Sequence, residues 1–122
     1  MEKRSWGKYD VLWGRSDCKV KHLIVEPRLG MSFQRHFMRE ELWFVHEGEI
    51  EVRHSPGISP DPEQNYHVKL LKKYDWWYVP VASWHQIINV CDEQAHIIEI
   101  QYGKEVVEND IERLFYYEKT PS

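Results

Sequence analysis

Short apolar runs separated by turn residues recur along the chain, and few stretches carry the i, i+3, i+4 spacing of a helix. The pattern predicts strands at Lys19–Val25, Leu42–Val45, Ile50–Arg53, Val68–Leu71, Trp76–Val79, Gln86–Val90 and Ala95–Gln101. Gly48, lying between Val45 and Val52, predicts a tight hairpin. Many short strands at this spacing point to an all-β sandwich or barrel. Two segments depart from the pattern. Ser55 to Asn65 holds Pro56, Pro60 and Pro62, which bars it from a central strand and makes it a long hairpin connection or surface insertion. Asn109 to Leu114 predicts a short C-terminal helical turn, capped by Asn109 or Asp110.

Length and charge narrow the field. The 122 residues make one domain, spanning 1–122, with no repeat or linker. Sixteen Lys and Arg against twenty Asp and Glu give a net charge of −4 without blocks of one sign, which argues against a nucleic-acid backbone as partner. Six Trp, seven Tyr and four Phe supply ample core material. No apolar run reaches the roughly 18 residues of a membrane span, and the start has no apolar leader segment, so the sequence reads as cytoplasmic. Cys18 and Cys91 form no disulfide framework and are expected as buried free thiols.

The histidine spacing carries the chemistry. If residues 33 to 36 are extended, Gln34 and His36 share a face. Glu41 starts the next strand, on a face with Trp43 and Val45, and His85 enters a later strand just after Pro80. Two imidazoles, a carboxylate and an amide oxygen converging from three strands would hold a divalent transition metal: Zn foremost, with Fe, Ni, Mn or Co compatible. Glu99 and Gln101 alternate with Ile98 and Ile100, so they line one face, either solvent or a polar interior.

These spacings resemble the cupin motifs. Gln34-x-His36-x4-Glu41-x6-Gly48 is similar to the first, with glutamine for its first histidine; Pro80-x-Ala82-x2-His85-x3-Asn89 is similar to the second, with alanine for its glycine. The glutamine version resembles the cupin domain of type II mannose-6-phosphate isomerases, often fused to a mannose-1-phosphate guanylyltransferase. Flanking blocks extend the likeness from about residue 4 to 114: Arg4-Ser5-Trp6-Gly7, Lys19-Val20-Lys21, Met31 to His36, Tyr78 to His85, Ile98 to Gly103, and Asp110-Ile111-x-Arg113.

The resemblance implies a jelly-roll barrel with Gln34, His36, Glu41 and His85 as metal ligands. It places Glu99 and Gln101 in the interior, names Lys21, Glu99 and Arg113 as candidate catalytic groups, and names Lys21, Gln101 and Arg113 as contacts to a phosphorylated sugar. Arg28 and Arg35 are alternative phosphate anchors. The implied reaction interconverts mannose 6-phosphate and fructose 6-phosphate through an enediolate. The alternative is a non-catalytic cupin that binds a sugar or assembles with a separate sugar nucleotidyltransferase; a dioxygenase is less consistent with Gln34. Aromatic richness and open sheet edges predict a homodimer. Two departures have physical consequences. His36-Phe37-Met38 replaces a run of three histidines, which is expected to alter the pocket wall. Arg28, Tyr74 and Ala82 stand where glycines are usual, which implies strain wherever φ is positive.

Overall fold

A computed structural model describes residues 1–118. Eleven strands follow one another: β1 Glu2–Arg4, β2 Gly7–Arg15, β3 Cys18–Val25, β4 Phe33–Arg35, β5 Arg39–Glu47, β6 Ile50–Ser55, β7 His67–Leu71, β8 Trp76–Val79, β9 Trp84–Asn89, β10 Ala95–Gly103 and β11 Glu112–Phe115. They form a six-stranded sheet in the order β1-β2-β3-β10-β5-β8 and a five-stranded sheet in the order β11-β4-β9-β6-β7, with every named pairing antiparallel. All seven strands expected from the hydrophobic pattern are present. The two sheets face each other without hydrogen-bonding into a closed barrel, which corrects that expectation.

Two local readings also change. Gly48, at φ 88°, does not close a hairpin: β5 and β6 belong to different sheets, so the turn carries the chain from one layer to the other. The expected C-terminal helical turn is absent. Residues 112–115 instead form β11, which pairs with β4 because the backbone donors of that edge need partners. The Pro-rich segment does connect a hairpin, β6 to β7, with Ile50 opposite Leu71 and His54 opposite His67.

Register divides the interior into two layers. Ile97 lies across from Leu23 and Val45, and these join Val25, Ile50, Val52, Val79 and Ile87 in an apolar core. Each such fully buried side chain contributes about 1.5–3 kcal/mol. Two residues further along the same strands, Glu99 lies across from Lys21 and Trp43; two further still, Gln101 lies across from Glu41. Period-two alternation therefore stacks a polar layer directly on an apolar floor. The three residues standing for glycine are all left-handed: Arg28 at φ 61°, Tyr74 at 74° and Ala82 at 62°. Each such position costs about 1–2 kcal/mol in an L-residue.

Candidate metal centre

His36, Glu41 and His85 meet inside the polar layer, each with one ligating atom within 4.8 Å of the others, and all three buried. His36 follows β4, Glu41 lies on β5 and His85 on β9, so both sheets contribute. His36 Nδ1 is 2.7 Å from the carbonyl oxygen of Asp110, and His85 Nδ1 is 3.0 Å from that of Ser83. A carbonyl only accepts, so both Nδ1 atoms carry hydrogen and both Nε2 atoms keep their lone pairs. His36 Nε2 lies 3.4 Å from Glu41 Oε2, and His85 Nε2 lies 3.8 Å from Glu41 Oε1. A further tie links the segments that supply the imidazoles: the Ala82 amide donates to the His36 carbonyl at 2.7 Å.

The electrostatics suit a cation. Burial lowers both imidazoles, His85 to about 4, against the opposing pull of Glu41. Both are neutral at neutral pH, the form in which imidazole can bind a metal. Burial alone would raise Glu41, but in the acid range where it titrates the then protonated His85 and His36, together with Arg39, outweigh burial and bring the carboxyl down to about 2. His85 Nε2 is buried and has no hydrogen-bond partner, the kind of orphaned lone pair that a metal satisfies. Two neutral imidazoles and one ionised carboxylate fit a divalent ion. The charge that Arg39 now balances, with Nε donating to Glu41 Oε2 at 3.0 Å and Nη2 donating to His36 Nε2 at 3.2 Å, is the charge a metal would share.

A cavity of about 200 Å³ opens beside this cluster, bordered by Lys21, Gln34, Arg39, Glu99, Gln101 and Arg113 among others. That is below the about 300–1,000 Å³ usual for drug-sized ligands, so it suits a small, polar one. Lys21 is buried, sits over the Tyr9 ring and donates to Glu108 Oε1 at 2.6 Å. Glu99 accepts from Trp43 Nε1 at 3.0 Å and from Gln101 Nε2 at 2.8 Å. Burial, followed by the neighbouring Glu41 charge, pushes the Glu99 carboxyl well up. Gln101 Oε1 is buried without a partner. His85 also borders a larger cavity of about 650 Å³, walled by residues such as Trp77, Val79 and Val81 and by no Asp, Glu, Lys or Arg, which disfavours a phosphorylated sugar there.

All eight site residues expected from the sequence border the small cavity or the cluster beside it. Gln34 stands opposite His85 in register, with its Oε1 accepting from Ser32 at 3.0 Å. Glu99 and Gln101 face inward, as the resemblance implied. The two alternative phosphate anchors lie elsewhere: Arg28 pairs with Asp92, while Arg35 stacks on Trp84 and pairs with Glu112. Phe37 and Met38 point to solvent, so replacing a histidine run there leaves the pocket wall unaltered. Cys18 and Cys91 are free but half-buried.

Three contributors escaped the sequence reading. Arg39 and Trp43 share an inward face with Glu41 through period-two spacing, a signal that was available. Trp43 Nε1, 3.1 Å from Glu41 Oε1 as well as close to Glu99, joins the two carboxyls. Asp110 entered the sequence reading only as a possible helix cap and in a flanking block; its tie to the His36 segment gave no signal, because these partners lie more than 70 positions away.

Comparison with known proteins agrees with this geometry. The sequence matches the family described as mannose-6-phosphate isomerase C-terminal over residues 2–115. Among curated relatives, the alginate biosynthesis protein AlgA of Pseudomonas putida is 36% identical over 110 residues, covering 90% of this chain and 21% of its own. The mannose-1-phosphate guanylyltransferase ManC of Salmonella typhimurium is 32% identical, with the same coverage of 90% and 21%. The chain thus spans about a fifth of these relatives' length. Among solved structures, the cupin domain of Schizosaccharomyces pombe Cnp3 superposes with a TM-score of 0.67 at 14% identity, covering 78% of this chain and 63% of that one. With nearly its whole length matched and a cupin fold around the His36–Glu41–His85 cluster, the chain belongs to the mannose-6-phosphate isomerase C-terminal family.

Proposed function

We propose that this domain is a metal-dependent isomerase of a phosphorylated hexose, interconverting mannose 6-phosphate and fructose 6-phosphate. The observation that carries the reading is the buried His36–Glu41–His85 cluster opening onto a small cavity bordered by the cationic side chains of Arg4, Lys21, Arg39 and Arg113. Zn is the favoured ion, held by the two imidazoles and Glu41 with Gln34 as a fourth, weaker oxygen donor. Its contribution would be to stabilise the negative charge that develops on the sugar oxygens.

The chain's own groups supply the rest. Lys21 and Arg113 provide cationic anchors for the phosphate. Gln101 Oε1, free of any partner, accepts a sugar hydroxyl. Glu99 moves the proton between C1 and C2; its inward position and its bonds from Trp43 and Gln101 hold the carboxyl in place for that transfer. Fructose 6-phosphate formation from mannose 6-phosphate, assayed with added Zn, Co or Mn on protein whose metal content is measured, tests the proposal. Metal-loaded protein without turnover overturns it.

One contact favours a second reading. The Lys21 ammonium is already neutralised by Glu108, which suits a domain that holds a sugar phosphate without converting it. Binding of mannose 6-phosphate with no product would support that reading.

A further inference from the structure

The His36–Glu41–His85 cluster stands between two cavities of opposite character. His36 and Glu41 border the small chamber, whose wall carries Lys21, Arg39, Glu99 and other charged groups. His85 borders the large one, of about 650 Å³, whose wall among the described residues holds no Asp, Glu, Lys or Arg. That volume falls within the about 300–1,000 Å³ usual for a small-molecule site, and the proposed sugar phosphate makes no use of it.

The large chamber is built by strands and by two loops that brace each other. Trp77 on β8 packs against the apolar core, and the His54 ring on β6 lies tilted 4.8 Å from it. His67 on β7 follows, 5.4 Å from His54, and Val79 to Val81 complete that side. The loop after β6 closes on the loop after β8: Gly57 packs so tightly on Ala82 that a Cβ would collide with its carbonyl oxygen. Arg35 Nη1 donates to the Gly57 carbonyl at 3.2 Å, and the Ser83 hydroxyl donates to the Pro80 carbonyl at 2.8 Å. The chamber is therefore formed in advance of any ligand, as small-molecule sites usually are.

Its lining also selects a class of occupant. Aromatic and aliphatic side chains dominate, and burial followed by the neighbouring His67 lowers the His54 imidazole, so that ring is neutral at neutral pH. A charged ligand would give up its hydration here and meet no opposite charge. One polar group on the wall lacks a partner. Ser55 is 1% exposed, and its Oγ has no hydrogen-bond partner among the described residues. Buried hydroxyls are ordinarily paired, and a hydroxyl can both donate and accept. A neutral ring system carrying a single hydroxyl answers both the apolar wall and the orphaned Ser55.

We propose that the large chamber is a second binding site, separate from the charged chamber, for a neutral aromatic compound with one hydroxyl group that bonds Ser55. Isothermal titration of the whole chain with 2-naphthol at neutral pH tests it. Saturable one-to-one binding is expected with a dissociation constant below about 1 mM, a modest demand for a compound of this size. In competition, 2-naphthoate should bind at least about 10-fold more weakly, because its charge finds no partner. Ser55→Ala should cut the preference for 2-naphthol over naphthalene several-fold and leave naphthalene itself unaffected. Nuclear Overhauser effects from the bound ring should reach the methyl groups of Val79 and Val81, which locates the site without any substitution. Absence of saturable binding overturns the proposal, as does 2-naphthoate binding as tightly as 2-naphthol. Contacts to the exposed rings Trp76 and Phe44 in place of Val79 and Val81 would overturn it too, and so would an unchanged preference in Ser55→Ala.

Discussion

His36 directs its Nδ1–H onto the carbonyl oxygen of Asp110, 2.7 Å away, while the Asp110 carboxylate accepts the amides of Phe37 and Met38 at 2.9 Å each. One residue of the C-terminal segment therefore fixes both the ring of a candidate ligand and the backbone that follows it. Partners of a ligand's second nitrogen typically change metal affinity 10- to 100-fold when lost. Asp110→Ala keeps the backbone carbonyl but releases the Phe37 and Met38 amides, so it should weaken Zn or Co binding by up to about 10-fold, the lower end of that range, and Asp110→Asn, which keeps one acceptor, should do so less. Competition against a chromophoric chelator measures this directly. An unchanged affinity in Asp110→Ala would show that other contacts suffice to hold His36.

Acid should weaken the metal-free protein through His85. Its folded value, pushed down to about 4 by burial, lies below the unfolded value near 6.5. Between those limits the unfolded chain binds a proton that the folded chain refuses. This contribution to stability is thus complete above pH 6.5 and is lost as pH falls through 4, on the order of 3 kcal/mol in all. Glu99, pushed up by burial, acts in the opposite sense, so the difference between proteins is the informative quantity. Thermal unfolding of wild type and His85→Gln across this window should show the steeper acid loss in wild type. Parallel curves would mean that His85 does not titrate as its burial dictates.

The left-handed turn at Ala82 offers a stabilising change. Its amide bonds the His36 carbonyl at 2.7 Å, so the φ of 62° is fixed by a contact beside the candidate metal centre. Glycine removes about 1–2 kcal/mol of strain and returns roughly 0.5–1 kcal/mol as added freedom of the unfolded chain. Ala82→Gly should gain up to about 1 kcal/mol, or a few degrees in Tm, without loss of metal binding. Calorimetry checks it; a lower Tm would mean that the Ala82 methyl contributes packing that outweighs the strain.

Much of this site could be read from residue spacing, and the reason is local. His36, Glu41, Glu99 and Gln101 lie in or next to strands where period two decides the face, so spacing alone groups them. Whether that face was inside or outside could not be read locally. Alternation with Ile98 and Ile100 left the face of Glu99 and Gln101 open between solvent and a polar interior, and both side chains are buried. Gly48 misled for a related cause: a short turn looks the same whether it returns along its own sheet or crosses to the facing one. The register of β10 against β3 and β5, set by pairings across dozens of positions, resolves both points. The contribution of Asp110 depends on where the C-terminal segment folds back onto His36, Phe37 and Met38, and no local pattern encodes that.

Glu108 occupies the place an incoming anion needs. Its Oε1 lies 2.6 Å from Lys21 Nζ, and both residues border the small cavity. Burial works to raise the Glu108 carboxyl, but the lysine beside it outweighs this and pulls it below its ordinary value, so the carboxylate is ionised at neutral pH. A phosphate reaching Lys21 must displace that carboxylate and loses binding energy in doing so. Glu108→Gln removes the competing charge while keeping the size of the side chain. On the proposed reading it should tighten mannose 6-phosphate several-fold, whereas Lys21→Met should weaken it by at least about 10-fold, since charge-assisted bonds contribute about 1.5–3 kcal/mol. Isothermal titration of both variants separates the cases. If Glu108→Gln binds no better than wild type while Lys21→Met is unaffected, Lys21 is a structural cation held by Glu108, and the phosphate anchor falls to Arg113 or Arg39.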